Sequence, residues 1–428
     1  MTAREPPEPT PCHVCGTAGV RPFLDLGLQP LGNAFLPPEE VGGERQYPLV
    51  MGVCSDCHLV QIVAPAPPEA TNRVYREYSY VPTGVTLERH YAELAEEIVR
   101  AVGPRPRARF LDIGSNDGLL LRSILARAPD ARVQGVEPSP RIAAIARGHG
   151  VPTLDGFFTP EIAREVAAHG GPVDVASATQ VLQHVRAPVD FLESVHALLA
   201  PDGILALEGR AYFPAVREEV AFDTFYHELL YGFTLHSLER LLALAGFSAF
   251  DAVPTEAYGG SLRVFAQRTD TGRRPVRPSV AAVRTTEKAA GVTEFASYRE
   301  FAGQVEGVRS SLRETVANAV SGGRSLAGYG APSTGTTLLS YCGLGSDVVR
   351  YIVDDNPLKQ GLVTPGTHIP IRSSEALREH PVDFVLLIAW RLRDEIVARL
   401  ERARPDRLRG VIVPLPTPEL RPTEVSVG

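Results

Sequence analysis

The sequence predicts an α/β protein of three domains, in which a small cysteine-clasped N-terminal domain precedes two Rossmann-like domains. Three observations predict this. Cysteines stand in pairs near the N-terminus, short apolar runs alternate with helical patterns over residues 103–270, and the same alternation returns over residues 294–428. A chain of 428 residues is also too long for one ordinary core, so we expect two or three domains.

Four of the five cysteines form two close pairs, Cys12–Cys15 and Cys54–Cys57. The spacing C-x2-C points two thiolates at one tetrahedral ion, and two such pairs complete a zinc site. Since four thiolates leave no open position, we expect a structural Zn2+ held by Cys12, Cys15, Cys54 and Cys57. Free thiols, two disulfides and an iron–sulfur cluster are the alternatives. Residues 1–72 are rich in Pro and Gly, and we expect loops held together by the ion.

The remaining chain divides by its hydrophobic pattern. Residues 73–270 contain a turn signal at Thr83-Gly84, a helix over LERHYAELAEEIVRAV, and strands that predict a parallel, doubly wound sheet: ARFLDIG, RVQGVEP, VDVASATQVL, GILALEG and LRVFAQR. Residues 271–293 lack a clear apolar period and predict a linker. Residues 294–428 predict a second α/β unit with strands in RSLAGYGAPS, VVRYIVDDN and VDFVLLIAW.

Composition narrows the class of protein. The net charge of −7 disfavours a nucleic-acid partner. No apolar run reaches the length of a membrane span, and the first residues lack the apolar core of a signal peptide. Thiols arranged for metal indicate a reducing compartment, so we expect a cytoplasmic protein. We also expect a small-molecule substrate, and a monomer or weak homodimer.

A tight loop of small residues follows the first strand of the middle domain. Phe110-Leu-Asp-Ile-Gly114-Ser-Asn-Asp117-Gly118 ends that strand before a helical pattern, and Glu137 ends the next strand. Such a loop lets a ligand approach the backbone, and a carboxylate on the second strand suits ribose hydroxyls.

The loop is neither G-x-G-x-x-G nor a phosphate-binding Walker loop, and with Glu137 it resembles motifs of class I S-adenosylmethionine (SAM)-dependent methyltransferases. A nicotinamide-binding domain is the alternative. By this resemblance the SAM-binding candidates are Asp112, Gly114, Ser115, Asn116, Asp117, Gly118, Glu137, Pro138, Ser139, Gly156, Phe157, Phe158, Thr179 and Gln180.

Further motifs extend along the whole chain. They are Leu26-Gly-Leu-Gln-Pro-Leu-Gly-Asn-Ala-Phe35, Tyr78-Ser-Tyr80, Gln180-Val-Leu-Gln-His184-Val, Phe222-Asp-Thr-Phe-Tyr226-His227-Glu228, Gly259-Gly-Ser-Leu-Arg263, Gly328-Tyr-Gly-Ala-Pro-Ser-Thr334 and Val353-Asp-Asp-Asn356-Pro-Leu-Lys359-Gln-Gly361. Together with the cysteine pairs, they resemble the sugar C-methyltransferases of antibiotic deoxysugar biosynthesis, from about residue 12 to residue 415.

This resemblance implies methylation of a carbon beside the ketone of a nucleotide-linked 4-keto-6-deoxysugar, with dTDP as the expected nucleotide. A base removes the α proton, donors stabilise the enolate, and the enolate attacks the SAM methyl group. The catalytic candidates that the resemblance places at the sugar are His184, Tyr226, His227, Glu228, Tyr78 and Tyr80.

Three positions depart from the family. Its favoured base, a second His after Tyr-His-Glu, is Leu229 here. Tyr258 stands where a His usually precedes Gly-Gly-Ser, and Gln180 replaces an Asn. The base would then be His184 or His227. O- or N-methylation, a non-methylating reaction and a SAM-binding scaffold without turnover are the alternatives.

The C-terminal domain carries a glycine-rich loop after a strand, and acidic residues after the next strand. Such positions bind phosphates and ribose in related folds, so we expect a nucleotide-sugar site. A domain that only packs is the alternative, and Trp390 would either stack on a base or fill the domain edge. The candidates are Gly328, Tyr329, Gly330, Ala331, Ser333, Thr334, Asp354, Asp355, Asn356, Lys359 and Trp390.

Overall fold

The structure is a computed structural model that describes residues 11–77, 85–403 and 405–422. Within this part of the chain the strands form sheets of four, seven and six strands, which follow one another in the order that the sequence predicts. Tyr78 and Tyr80, and the turn signal at Thr83-Gly84, lie outside the described residues. No helix of the described segments combines the length and the apolar character needed to cross a membrane.

The N-terminal domain is more regular than a set of loops held by an ion. Its elements are β1 (Val20–Pro30), β2 (Gln46–Cys54), β3 (Val60–Ile62) and α1 (Pro68–Arg76). The three strands are antiparallel, and a two-residue strand of the middle domain, Tyr231–Gly232, completes the sheet beside β3. Leu49 and Met51 are fully buried. The prediction of a loop-rich domain is therefore wrong, because apolar side chains of these strands are buried in a core that is shared with the other domains.

The middle domain is built around a seven-stranded sheet. Its strands and helices are α2 (Val85–Val102), β4 (Arg109–Ile113), α3 (Leu119–Leu125), β5 (Arg132–Glu137), α4 (Pro140–Gly148), β6 (Thr153–Asp155), α5 (Pro160–Gly170), β7 (Val173–Thr179), α6 (Pro188–Leu198), β8 (Leu199–Arg210), α7 (Phe213–Glu218), β9 (Tyr231–Gly232), α8 (Leu235–Leu244), β10 (Phe247–Thr255) and β11 (Ser261–Arg268).

The strand order is β10-β11-β8-β7-β4-β5-β6, and the five strands from β8 to β6 are parallel, as predicted. At the other edge, β11 runs antiparallel to β8, and β10 runs antiparallel to β11. A wholly parallel sheet is therefore a wrong prediction at this edge. The turn between these strands is only a few residues long, and a short turn can join antiparallel strands but not parallel ones.

The segment predicted as a linker, residues 271–293, contains the helix α9 (Pro278–Ala289). Val280 and Val283 are buried, and the buried carboxylate of Glu287 accepts the backbone N–H groups of Leu235 and His236 at the start of α8. The linker prediction is wrong, because this helix packs through two buried valines and through a carboxylate that caps α8. An apolar face this small gives the sequence no clear hydrophobic period.

The C-terminal domain has a six-stranded sheet in the order β14-β13-β12-β15-β16-β17. Its elements are α10 (Phe295–Val320), β12 (Leu326–Tyr329), α11 (Ser333–Cys342), β13 (Val349–Val353), β14 (Ile371–Arg372), α12 (Ala376–Glu379), β15 (Phe384–Leu387), α13 (Arg393–Ala403), β16 (Gly410–Val413) and β17 (Glu419–Pro422). All pairs are parallel except β16–β17. The predicted second α/β unit is therefore confirmed.

Candidate functional site

The four paired cysteines meet at one point of the N-terminal domain. Their sulfur atoms all lie within 4.8 Å of one another, with 3.4 Å between the Sγ atoms of Cys12 and Cys57 and 3.5 Å between those of Cys15 and Cys54. Zn–S bonds of about 2.3 Å place tetrahedral sulfurs roughly 3.8 Å apart, so the cluster fits Zn2+ after a small expansion.

Without a cation, the four thiols would not all be deprotonated at neutral pH. A hydrogen bond from Cys57 lowers the pKa of Cys12 to about 5, and the same bond raises the pKa of Cys57. Burial raises the pKa of Cys15 to about 11. Four thiolates this close repel one another unless a cation neutralises them, so a divalent ion would be the group that holds all four deprotonated. With four sulfur ligands, such an ion has a structural role.

The predicted cofactor loop surrounds a small cavity at the carboxyl end of β4. Gly114 has φ +68°, and a Cβ there would lie 2.5 Å from Cγ2 of Val181, so only glycine fits the turn. The cavity is lined by Tyr91, Asp112, Gly114, Ser115, Asn116, Asp117, Leu119, Leu120 and Thr179. The structure therefore brings together the first part of the predicted SAM site.

Two buried carboxylates flank this loop. Glu137 accepts the backbone N–H groups of Asn116 at 3.0 Å and Ser139 at 2.9 Å, and Asp112 accepts the hydroxyl of Ser177 at 2.7 Å. Burial raises the pKa of each carboxyl to about 7. Hydroxyl or ammonium groups of a bound ligand would stabilise the charged forms, which suits the ribose and the amino acid of SAM.

The other predicted cofactor residues have mixed surroundings. Asp117 is used locally, because its carboxylate accepts the N–H of Leu119 and pairs with Arg122 at 3.0 Å. Phe157 lies edge-on to Tyr75 with 6.3 Å between ring centroids, whereas Phe158 packs against Phe191. Gly118 lies at the start of α3, Pro138 and Ser139 join β5 to α4, and Gly156 follows β6.

His184 stands on a short turn after β7, on the same edge of the sheet as the loop. Its Nδ1 lies 2.5 Å from the backbone carbonyl of Glu228 and 3.0 Å from the hydroxyl of Tyr75, which itself donates to that carbonyl at 2.8 Å. Because a carbonyl only accepts, Nδ1 carries the proton and Nε2 carries the lone pair that a general base needs. Burial lowers the pKa of His184 to about 4, so the ring is neutral at physiological pH.

The Tyr226-His227-Glu228 stretch faces the N-terminal domain. The fully buried His227 donates from Nε2 to the carbonyl of Tyr47 at 3.1 Å. The carboxylate of Glu228 accepts the N–H groups of Gly32 at 3.0 Å and Asn33 at 2.8 Å. Nε2 of His227 and the carboxylate of Glu228 thus fasten the middle domain to the N-terminal domain, and the placement of these two residues at the sugar stays a prediction.

Tyr226 differs from its two neighbours. Its ring packs on Gly32, where a Cβ would lie 3.0 Å from Cδ2 of the tyrosine and 3.2 Å from the carbonyl oxygen of Ser333. Its hydroxyl accepts from Nη1 of Arg210 at 3.4 Å. All three domains therefore meet at Tyr226, which remains a candidate for substrate contact.

Gln180, a predicted cofactor residue, also bonds to several of its neighbours. Its Oε1 accepts the backbone N–H of Arg210 at 3.0 Å and the Nε2–H of Gln183 at 3.1 Å, while its own amide donates to Ser261 at 3.1 Å. It has φ +59°, which fits a residue held by many bonds at the end of a strand.

Several side chains near this edge were not predicted from the sequence. They are Tyr75, His90, Tyr91 and Arg210. Tyr91 shares a 3.1 Å hydrogen bond with Tyr258 at the cofactor cavity. The apolar period of helix α2 predicted only that its residues pack against the domain. No motif marked Tyr75, although it lies three residues before the predicted Tyr78-Ser-Tyr80 motif.

Glu208, at the end of β8, has two basic partners. It accepts from His90 at 2.6 Å and from Nε of Arg263 at 2.7 Å. Burial alone would raise the pKa of Glu208, but these two partners hold it below its usual value. Glu208 is therefore a buried ion-pair centre that holds α2 against the sheet.

The glycine-rich loop of the C-terminal domain closes tightly on its own fold. A Cβ at Gly328 would lie 2.5 Å from Ile388, and one at Gly330 would lie 2.4 Å from the Cβ of Ala389. The N–H of Ala331 is bonded to Asp354 at 2.6 Å. Packing thus accounts for these glycines, and Tyr329 is buried beside them.

The remaining C-terminal candidates divide into buried and exposed groups. Lys359 donates to the carbonyl of Ala331 at 2.7 Å and lies 4.7 Å above the ring of Phe35 from the N-terminal domain. Asp355 pairs with Arg399 at 2.5 Å. Asn356 donates its backbone N–H to Asp354, and Ser333 and Thr334 begin α11.

Trp390 does not stack on a ligand. Only 2% of its surface is exposed, and its Nε1 donates to Asp223 of the middle domain at 2.9 Å. The prediction of a base-stacking tryptophan is therefore corrected: the indole fills the junction between the middle and C-terminal domains, which is the other role that the sequence left open.

Comparison with known families agrees with this architecture. Residues 12–71 match a zinc binding domain, residues 87–251 a methyltransferase domain, and residues 256–416 a C-methyltransferase C-terminal domain. The C-methyltransferase NovU of Streptomyces niveus is 34% identical over 418 residues, which cover 97% of this chain and 98% of NovU.

Other similar proteins match a smaller part of the chain. Trans-aconitate 2-methyltransferase of Streptomyces avermitilis is 33% identical over 107 residues, which cover 24% of this chain and 40% of that protein. The solved structure of SAM-bound CalS10, an amino pentose methyltransferase from Micromonospora echinaspora, overlaps 45% of this chain and 100% of its own at 19% identity. Its TM-score of 0.31 is too low to compare the two folds in detail.

The match to NovU extends over nearly the whole of both chains, and the three matched domains occur in the predicted order. This chain is therefore a SAM-dependent methyltransferase that belongs to the zinc-binding C-methyltransferase family.

Proposed function

We propose that this enzyme transfers the methyl group of SAM to a carbon beside the ketone of a nucleotide-linked 4-keto-6-deoxysugar, in deoxysugar or antibiotic biosynthesis. The observation that carries the proposal is His184. It is a neutral imidazole whose Nδ1–H is fixed by a backbone carbonyl, on the sheet edge that bears the cofactor loop. A C-methyltransferase needs such a base, because the carbon must lose a proton before it can attack.

In the proposed reaction, Nε2 of His184 takes the proton from the α carbon, and the C–H electron pair becomes the enolate. The enolate carbon then forms a bond to the methyl carbon of SAM, and the S–CH3 electron pair leaves with sulfur to give S-adenosylhomocysteine. Tyr226 would contact the sugar, while Tyr75 keeps His184 oriented.

The proposed position of the nucleotide is the loop that follows β12. Lys359 would provide positive charge there, next to the start of α11, and dTDP is the nucleotide that we expect. Because packing already explains Gly328 and Gly330, the support for this part comes from Lys359 and from the closeness of Ser333 to Tyr226 across Gly32.

O- or N-methylation is the second candidate, and Leu229 favours it. This side chain is fully buried and accepts no proton, whereas a hydroxyl or amine acceptor is easier to deprotonate than a carbon acid. The same fold and the same SAM site would serve this reaction.

Incubation of the purified protein with SAM and a panel of dTDP-4-keto-6-deoxysugars tests the proposal. We expect a methylated product, and NMR or fragmentation mass spectrometry should place the methyl group on carbon. A methyl group on oxygen or nitrogen would support the second candidate, and SAM binding without any product would favour a scaffold.

A further inference from the structure

Arg210, the last residue of β8, connects the residues around the proposed reaction site. Its backbone N–H and its Nε donate to Oε1 of Gln180 at 3.0 and 3.3 Å. Its Nη1 donates to the hydroxyl of Tyr226 at 3.4 Å, and its guanidinium lies 4.8 Å above the ring of Tyr258. The guanidinium therefore has a defined position between three side chains.

Two of these partners are positions at which the chain departs from the family motifs. Gln180 stands in place of an Asn and Tyr258 in place of a His, and both contact the same guanidinium. Gln180 is further fixed by Gln183 and Ser261. These two departures from the family therefore lie in one cluster around Arg210.

The charge of Arg210 also reaches the proposed base. Burial is the main cause of the lowered pKa of His184, the carbonyl of Glu228 acts in the opposite direction, and the positive charge of Arg210 lowers this pKa further. At Tyr258, burial raises the pKa and the same charge opposes that effect. Arg210 thus acts electrostatically on both His184 and Tyr258.

We propose that Arg210 binds the carbonyl oxygen of the substrate and stabilises the negative charge that forms there when His184 removes the α proton. This inference rests on the proposed carbon methylation. As the C–H bond breaks, its electron pair forms the C=C bond of the enolate, the carbonyl π electrons move to oxygen, and the proton is held on Nε2 of His184. When the methyl group is transferred, these electrons return and Arg210 is unchanged.

The chemistry of the site explains the need for such a charge. An imidazole with a lowered pKa is a weak base, so the α carbon must become more acidic for the proton to move. A fixed guanidinium in a partly buried site stabilises developing charge better than water does, because it needs no reorganisation. Since Arg210 donates to the oxygen of Tyr226, the phenol O–H of Tyr226 is directed away from it and can add a second donor.

Arg210→Met and Arg210→Lys variants test this role, with Arg284→Met as a matched control. Arg284 is an arginine of α9 that pairs with Glu239 outside the site. The measurements are solvent deuterium uptake at the α carbon of a dTDP-4-keto-6-deoxysugar, its pH dependence, SAM affinity by calorimetry and the melting temperature.

We expect Arg210→Met to lower the exchange rate about 100-fold or more, the usual effect of losing an oxyanion donor, with SAM affinity near that of the wild type. The acid limb of its pH profile should move to higher pH, because His184 loses a neighbouring positive charge. Arg210→Lys should keep part of the rate and leave the limb in place, and the control should match the wild type.

If Arg210→Met exchanges the α proton as fast as the wild type and keeps full activity, this role is overturned and the proposed function stays intact. A loss of rate with an unmoved acid limb and a lowered melting temperature would mean that Arg210 is only structural. If the wild type itself exchanges no α proton on any ketosugar, the proposed function fails and this inference fails with it.

Discussion

The Nδ1 atom of His184 lies 2.5 Å from the backbone carbonyl of Glu228, so one residue of the Tyr-His-Glu stretch orients the imidazole through its backbone. The side chain of the same glutamate accepts the N–H groups of Gly32 and Asn33 in the N-terminal domain. The zinc-binding domain and the proposed base are thus joined through a single residue. Through Glu228, the N-terminal domain therefore contacts the residue that orients the proposed base.

His184→Ala should lower turnover roughly 100-fold or more while SAM affinity stays near wild type, because the variant loses the proton acceptor but no cofactor contact. His227→Ala is the matched histidine control. It should keep most of the turnover and lower the melting temperature, since it removes a buried hydrogen bond to Tyr47. Steady-state kinetics, calorimetry and thermal melts measure these effects. Equal loss of turnover in both variants would show that the two histidines were assigned the wrong roles.

Leu229→His should raise α-proton exchange if a ketosugar is the substrate. The position is fully buried next to Glu228, so the new imidazole would be desolvated, neutral and able to accept a proton. We also expect a lower melting temperature, because a polar ring replaces an apolar side chain in a packed site. Deuterium uptake followed by NMR is the measurement. A folded variant that binds SAM but exchanges no faster than the wild type would argue against carbon methylation of the family type.

Cys54→Ser should reduce bound zinc below one ion per chain and lower the melting temperature, because three thiolates close a tetrahedral site poorly. Cys342→Ser serves as control, as its thiol lies in the C-terminal domain, outside the cluster. Elemental analysis and thermal melts check both variants. Unchanged zinc content in Cys54→Ser would contradict the four-cysteine site.

SAM affinity should rise as the pH increases through about 7. In the protein without SAM, burial raises the pKa of Asp112 and Glu137 to about 7, above their unfolded values, and a ligand with ammonium and hydroxyl groups favours the charged carboxylates. The same shifts predict that this protein gains stability as the pH falls from about 7 towards about 4.5, since the folded state then binds more protons than the unfolded state.

Glu137→Gln should bind SAM more weakly and show a smaller pH dependence, with Asp112 responsible for what remains. Calorimetric titrations between pH 6 and 8.5 give the slopes. Identical slopes for the variant and the wild type would mean that Glu137 does not titrate in this range.

The sequence predicted the features that depend on residues close together in the chain. The cysteine spacing, the loop from Asp112 to Gly118 and the position of His184 after a strand were all visible, because each depends on neighbours in the chain. The contacts of the His227 and Glu228 side chains could not be predicted, because their partners Tyr47, Gly32 and Asn33 come from another domain. Only tertiary packing decides which side of such a segment faces a cleft.

Trp390 and α9 are two further features that local sequence could not predict. From the sequence, a lone tryptophan after a strand is equally compatible with stacking on a nucleotide base and with packing in the core. The hydrogen bond from Trp390 to Asp223 of the neighbouring domain shows that it packs. The helix α9 (Pro278–Ala289) escaped prediction because its burial depends on a carboxylate that caps α8. Arg210 carries no motif at all, and only its contacts with Gln180, Tyr226 and Tyr258 reveal it.

The most direct test of the account is solvent deuterium uptake at the α carbon of a dTDP-4-keto-6-deoxysugar, with S-adenosylhomocysteine present so that no methyl transfer occurs. Comparison of the wild type with His184→Ala and His227→Ala isolates the proton-transfer step. We predict uptake by the wild type and by His227→Ala, and a loss of about 100-fold or more in His184→Ala. No uptake by the wild type on any ketosugar, or equal uptake by the wild type and His184→Ala, would contradict it.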